Sequence, residues 1–234
     1  FIFVFLLTLI PALLVFFQPD LGSTIVLFTG FFGAVFIGGL PTRTVILGTV
    51  GFFILLPIIW LLLAPYQKDR IYSFVNPQSD PLSSGYNSIQ AKIAVGGGGF
   101  FGLGLGQGTQ SQLLFLPEKH TDFIFAAISE ELGFIGSFTI LLTFGVLLLR
   151  ILFLIKTSSD LFVKSFFGGL FFVFFVQAVV NIGMNIGLLP ITGITLPVVS
   201  SGGSSLLSMS VSLGIASMMS ESLRERRFSS TMDY

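Results

Sequence analysis

Six apolar runs of about 20 residues divide this 234-residue chain, at about 1–17, 21–40, 45–64, 123–149, 165–188 and 204–221. Such a run is what an α-helix, rising 1.5 Å per residue, needs to cross the ~30 Å hydrocarbon core of a bilayer. Inside that core every backbone polar group must be bonded within the protein, which leaves helices and closed barrels as the spanning structures. The period-2 alternation of a membrane barrel is absent from the sequence. The expected fold class is therefore all-α: a polytopic integral membrane protein of six transmembrane helices. Composition agrees, with 53% hydrophobic residues, 9% charged residues and a mean hydropathy of +0.96, against about 25% charged in soluble domains. A formal net charge of zero gives a nucleic-acid partner no electrostatic support, so none is expected. Without cysteine, disulfides and thiolate metal sites are excluded. The chain opens inside an apolar run with neither methionine nor a basic n-region, and reads as a fragment of a larger protein rather than as a signal peptide.

Charge sets the orientation. Basic residues sit in three linkers: Arg43; then Arg150, Lys156 and Lys164; then Arg224, Arg226 and Arg227. The positive-inside rule places these at the cytoplasmic face. The linkers Gln18–Asp20, 65–122 and 189–203 then face outward. The long one also carries Lys68, Arg70, Lys92 and Lys119, but long loops cross regardless of charge. The chain reads as one membrane domain over 1–234, with 65–122 its large extracytoplasmic loop.

A loop of about 58 residues is long enough to signal function. It holds an aromatic, Pro-rich part from Tyr66 to Tyr86 and an expected short helix over Asn87–Val95. A glycine run follows, Gly96 to Gly99, continued by Gly102, Gly104, Gly106 and Gly108. Phe100, Phe101, Leu103, Leu113, Leu114, Phe115 and Leu116 are too apolar for water. The loop is expected to fold back onto the outer membrane face, partly re-entrant and shielded by helices. Gly97-Gly98-Gly99-Phe100-Phe101-Gly102 matches the dinucleotide fingerprint in form but lacks its strand–helix context. Two readings stay open for the glycines: a hinge needing positive φ, or backbone N–H groups closing on a phosphate.

The window Leu116–Gly133 carries five charges and the single histidine of the chain, where a polar loop runs into an apolar helix. Ionisable groups are costly there and are functional candidates by default. Thr121 or Asp122 could cap the fourth span, where unpaired N–H groups favour a carboxylate. Asp122 with Glu118 could instead help hold a divalent cation such as Mg²⁺ or Mn²⁺, which needs one or two carboxylates plus phosphate. His120 stands without partners for a metal site. Glu130 and Glu131 cannot both share the face of Asp122 at 100° per residue. At least one is expected to pair with another helix or a loop cation such as Lys92, in a structural role. Gln177, Asn181 and Asn185 form one polar stripe, and Ser200, Ser204, Ser208 and Ser212 another. Such residues commonly join membrane helices, or they could wall a wet cavity for a polar headgroup.

Together these stretches resemble the SEDS family of bacterial cell-shape, division and sporulation proteins: RodA, FtsW and SpoVE. The resemblance is carried by Gln18-Pro-Asp-Leu-Gly22, Asn76-Pro-Gln-Ser-Asp-Pro81 with Gly85-Tyr86, and Gln90-Ala-Lys-Ile-Ala94. It continues through Gly106-Gln-Gly-Thr-Gln110, Leu116-Pro-Glu-Lys-His-Thr-Asp-Phe-Ile-Phe125 and Glu130-Glu-Leu-Gly133. It ends in Asn185-Ile-Gly-Leu-Leu-Pro190 and Leu196-Pro-Val-Val-Ser-Ser-Gly-Gly-Ser-Ser205. Gln110-Ser-Gln-Leu113 and Phe115-Leu-Pro117 lean towards RodA. The family's usual tyrosine before the Gly-Gly pair is Ser201 here. The family has ten membrane helices, of which these six would be the last six.

The resemblance implies a peptidoglycan glycosyltransferase that polymerises lipid II at the outer face of the cytoplasmic membrane. It would act beside a class B penicillin-binding transpeptidase, among membrane lipids and other elongation or division proteins. The family's essential aspartate maps to Asp122, the expected catalytic base. Lys92 and Lys119 are the candidate cations for the lipid pyrophosphate. Gln110, Glu118, His120, Thr121 and Ser204 complete the expected substrate-binding set. Glu130, Glu131, Asn181 and Asn185 are the expected structural, intramembrane set. Two rival readings are a lipid II flippase, with the polar stripes lining a path, and a scaffold that holds the transpeptidase.

Overall fold

A computed structural model describes residues 2–18, 20–79, 84–113, 115–116 and 118–232. Of the motifs above, Pro19, Asp80, Pro81, Leu114 and Pro117 lie outside the described residues, as do the side chains of Arg224, Arg226 and Arg227. In chain order the helices are α1 (Ile2–Phe17), α2 (Leu21–Ile37), α3 (Thr42–Leu62), α4 (Pro65–Val75), α5 (Ser84–Gly97), α6 (Thr109–Gln112), α7 (Ile124–Thr157), α8 (Leu161–Asn185) and α9 (Gly203–Met232). No strand occurs among the described residues. The six apolar runs are the apolar helices α1, α2, α3, α7, α8 and α9. Of these α3, α7, α8 and α9 are each long and apolar enough to cross a membrane, while α1 and α2 are shorter. The fold is that of a polytopic helical membrane protein.

Helix ends follow local chemistry. Asp20 caps α2, its carboxylate accepting from Ser23 N at 2.9 Å and from Ser23 Oγ at 2.6 Å. Asp160 caps α8 through Phe162 N at 2.8 Å. Pro65 opens α4 at a position whose N–H has no helical partner anyway. The outer loop is far more helical than the single short helix expected: α4, α5 and α6 and a 3₁₀ turn at Pro77–Ser79 all belong to it.

The centre of the molecule is the seam between α2 and α8. A Cβ on Gly33 would sit 2.6 Å from the Gly168 carbonyl, and one on Gly168 would sit 2.7 Å from the Gly33 carbonyl. Small residues let two membrane helices approach this closely. Phe167, Phe174 and Leu196 are fully buried beside the seam, against Phe144 and Ile151 of α7 and Met209 of α9. Phe53 and Ile54 of α3 and Leu207 of α9 point outward, the surface of helices that face lipid.

α7 is broken at Gly133, whose φ of 66° and ψ of −158° lie outside the helical range. The break frees carbonyls on one side and N–H groups on the other. The glycine run fills it: Leu103 N donates to Glu130 O at 2.9 Å and Gly104 N to Glu131 O at 3.0 Å, while Phe134 N donates to Gly99 O at 2.9 Å. A Cβ on Gly98 would fall 1.8 Å from the Ser129 carbonyl, and one on Gly102 would fall 2.1 Å from that of Glu131. The rings of Phe100, Phe134 and Phe138 stack in series, 5.7 and 6.0 Å between centroids. The glycines are thus a close-packed strap rather than a hinge. The N–H groups of Gly102, Leu103 and Gly104 are engaged by protein carbonyls and do not face a phosphate. The positive φ expected of them is present at Gly99, Gly102, Gly104 and Gly106.

Candidate active site

Three consecutive carbonyls ahead of α7 are each held by residues from much later in the chain. The His120 carbonyl accepts from Ser201 N at 2.8 Å and from Ser201 Oγ at 2.9 Å. That of Thr121 accepts from Ser200 Oγ at 2.7 Å, and Ser200 Oγ in turn accepts from Leu196 N at 2.8 Å. The Asp122 carbonyl accepts from Asn181 Nδ2 at 2.9 Å and Asn185 Nδ2 at 3.0 Å. Asn181 also donates to Ile194 O at 2.8 Å. Asn181 and Asn185 are fully buried on α8. The segment 120–122 is therefore bolted to α8 and to the loop ahead of α9.

The capping expected of Thr121 or Asp122 is not formed. Phe123 is the N-cap of α7 and provides no side-chain bond. Asn185 does the work from another helix, its Oδ1 accepting from Ala126 N at 3.1 Å, one of the unpaired donors of the first turn. The Thr121 hydroxyl points back to Glu118, 3.0 Å from Oε2. Glu118 holds a φ of 55°, and its carbonyl accepts from Thr121 N and Phe123 N at 3.1 and 3.2 Å. With its backbone engaged and no cap to form, the half-buried Asp122 carboxylate is left for other chemistry.

Burial is the largest influence on that carboxyl and pushes it above its ordinary value of 3.8. The charge of Glu118 raises it further, Arg70 opposes the shift, and Asp20 adds to it. Asp20 belongs to the α1–α2 turn, Arg70 and Glu118 to the 65–122 loop, and Gly193 to residues 189–203, so these three linkers meet here. Gly193, with a φ of 78°, borders both Asp122 and Arg70. A Cβ on it would be 3.8 Å from Asp122 Oδ2 and 3.8 Å from an Arg70 guanidinium nitrogen. Gly22 of α2 packs against the same loop, where a Cβ would lie 2.8 Å from Thr192 O. No group of three His, Cys, Asp or Glu able to hold a metal occurs among the described residues.

The other expected site residues are distributed around this centre. Glu130 is fully buried. It accepts from Gln110 N at 2.8 Å, Ser111 N at 2.9 Å and Thr109 Oγ1 at 3.3 Å, holding α6 against α7. A Cβ on Gly108 would come within 2.5 Å of its Oε2. Glu131 accepts from Gln112 Nε2 at 2.9 Å in an exposed position. The partners of both glutamates are thus loop amides and a hydroxyl, not the cation Lys92. Lys119 donates its ammonium to the Ser111 carbonyl. Lys92 is exposed on α5, its stem lying over Gly187. Gln110 contributes its backbone to Glu130, and its Oε1 is buried without a hydrogen bond. His120 and Glu118 are exposed. Ser204 is exposed on α9 and its carbonyl accepts from Ser208 Oγ. The expected serine stripe is broken, because α9 begins at Gly203 and Ser200 belongs to the loop that binds Thr121. Sequence reasoning missed Arg70, Gly193 and Asp20 as neighbours of Asp122. Arg70 is 52 positions away in sequence, and no spacing rule links them.

A multi-pass helical membrane protein whose linkers meet around one half-buried carboxylate is the class that this fold and site define. The model of the FtsW/RodA/SpoVE cell cycle protein family matches residues 1–225, and the chain belongs to that family. It is 43% identical over 210 residues to the peptidoglycan glycosyltransferase MrdB of Escherichia coli (strain K12), covering 89% of this chain and 57% of that protein. It is 45% identical over 199 residues to stage V sporulation protein E of Bacillus subtilis (strain 168), covering 85% and 54%. To the probable peptidoglycan glycosyltransferase FtsW of Francisella salina it is 41% identical over 207 residues, covering 87% and 51%. A solved structure described as "Structural coordination of polymerization and crosslinking by a peptidoglycan synthase complex" superposes with a TM-score of 0.74 at 35% identity, covering 91% of this chain and 59% of that one. The chain spans just over half the length of the curated relatives it matches. It is a multi-pass protein of the bacterial cytoplasmic membrane.

Proposed function

We propose that this chain carries the catalytic end of a peptidoglycan glycosyltransferase, which polymerises lipid II into glycan strands at the outer membrane face. One observation carries the reading: the Asp122 carboxyl, held in place through its own backbone, is made more basic by burial and by Glu118. A general base works best when its pKa approaches the operating pH, and raised carboxylates mark such sites. The reaction is a single displacement. The acceptor sugar's hydroxyl oxygen bonds to the donor's anomeric carbon and its proton passes to Asp122. The carbon–oxygen bond to the lipid pyrophosphate breaks, and its electron pair leaves with the pyrophosphate. Because the 120–122 backbone is bolted to α8, the carboxylate is positioned before substrate arrives, which lowers the entropy cost of alignment. The names of the MrdB and FtsW relatives support the same activity. The partner we assign is a class B penicillin-binding transpeptidase, within an elongation or division complex. Its support is the solved relative, described as coordinating polymerization with crosslinking.

The test is polymerisation of lipid II by the purified protein with its transpeptidase, read on a gel, for wild type and Asp122→Asn. Asn keeps the size and the backbone clamp but cannot take the proton. Polymer should fall by at least about 100-fold, the scale of a lost general base, at normal protein abundance. Full activity in Asp122→Asn would remove the base assignment. Lipid II headgroup transfer across vesicles without any polymer from wild type would point to a transporter instead.

A further inference from the structure

Arg70 and Asp122 both border Gly193. The position of the missing Gly193 side chain is 3.8 Å from each charged group, and apart from its chain neighbours no third heavy atom among the described residues comes within 4 Å of it. The two groups border the same gap. Among the described residues the Arg70 guanidinium makes no hydrogen bond. It lies over the ring of Tyr66, 5.6 Å from the centroid, and is half-buried. Stacking holds a guanidinium in one plane, and its fork of N–H donors matches phosphate oxygens. The lysines that the sequence suggested for this task are placed otherwise: Lys119 is engaged by the Ser111 carbonyl, and Lys92 stands exposed over Gly187.

We propose that Arg70 binds the pyrophosphate of the lipid-linked donor, beside Asp122 at the gap left by Gly193. The proposal rests on the glycosyltransferase reading and names the residue that receives its leaving group. As the anomeric carbon–oxygen bond breaks, negative charge grows on the pyrophosphate, and a preorganised cation there stabilises the transition state more than the ground state. The reacting carbon then lies at the gap, within reach of the base that takes the acceptor proton and of the cation that takes the departing charge. Gly193 keeps that gap open, and any side chain on it would enter the reaction space. The arrangement also couples binding to basicity. Arg70 lowers the pKa of Asp122, so an anion that neutralises Arg70 makes Asp122 the stronger base once donor is bound.

The probe is farnesyl pyrophosphate, with farnesol as the uncharged control, titrated into the purified protein in detergent. Arg70→Gln should bind the pyrophosphate at least about tenfold more weakly, the scale of one lost charge-assisted hydrogen bond, with farnesol unchanged. Asp122→Asn should bind it at least as well as wild type while making no polymer. A second readout needs no variant: in wild type, farnesyl pyrophosphate but not farnesol should protect Arg70 from phenylglyoxal, mapped by mass spectrometry. Equal affinity in Arg70→Gln, or no protection of Arg70, overturns the proposal. Protection of Arg70 in a protein that makes no glycan overturns the glycosyltransferase reading and leaves the anion site standing.

Discussion

The side-chain amide of Asn181 donates to the backbone carbonyl of Asp122 at 2.9 Å, across 59 positions of sequence. Asn185, one turn further on, donates to the same oxygen at 3.0 Å and to the Asn181 carbonyl at 2.8 Å. A buried helix thus sets the height at which the carboxylate stands. Residues sharing one acceptor do not act independently. The coupling energy between Asn181→Ala and Asn185→Ala, measured by activity in a double-mutant cycle, should be about 0.5–3 kcal/mol. Strict additivity of the two would refute a shared clamp.

Glu130→Gln should mainly remove folded protein. The carboxylate accepts two backbone N–H groups and a hydroxyl, and an amide in its place turns a donor towards donors. Loss of such charge-assisted bonds in a buried site is worth about 1.5–3 kcal/mol. Membrane abundance of Glu130→Gln should drop, whereas Glu131→Gln, whose partner Gln112 is exposed, should accumulate normally. Similar abundance of the two variants would contradict the anchoring role.

The acid limb of the activity profile should lie above the ordinary aspartate value of 3.8, because burial and Glu118 raise Asp122. Glu118→Gln removes a raising charge and should move the limb to lower pH. Arg70→Gln removes the lowering charge and should move it to higher pH. For stability the sign is the reverse of the usual paired carboxylate. A raised native pKa favours the fold below the unfolded value and loses that contribution as pH rises through the native one. Asp122→Asn should therefore be at least as heat-stable as wild type at neutral pH.

Orientation can be read by labelling. Val75 at the end of α4 and Leu161 at the start of α8 are both exposed, and lie at opposite ends of the bundle. With an impermeant thiol reagent on intact cells, Val75→Cys should react and Leu161→Cys should not. The opposite pattern would invert the topology and the extracytoplasmic chemistry with it.

Length and hydropathy alone place the six apolar helices to within a few residues, the C-terminal ends of α7 and α9 excepted. The α7 run is cut at the single charge of Arg150, yet the apolar Ile151-Leu-Phe-Leu-Ile155 carries the helix on to Thr157, while α9 runs past its apolar stretch at 221 to Met232 through a polar end. The polar α4 has no apolar run to announce it, although Pro65 at its first position is a usable start signal. The window around Asp122 was legible from its charge density. The positions of Arg70 and Gly193 beside it were not, since they depend on how loops distant in sequence meet. The glycine run illustrates a further limit. Its positive φ values follow from composition, but whether its N–H groups face a phosphate or a broken helix is decided by packing.

The pairing of Leu103 with Glu130, Gly104 with Glu131 and Gly99 with Phe134 is made residue for residue. Adding or deleting one position on either partner would displace all of these bonds at once and drive a Cβ into a backbone where Gly98, Gly102 or Gly133 now fits. The turn at Gly38–Pro41, whose Gly38 and Leu40 N–H groups return to their own helix, carries no such register. Descendants of this chain are therefore free to lengthen that turn, while the stretch from Gly98 to Gly133 diverges by substitution and not by insertion.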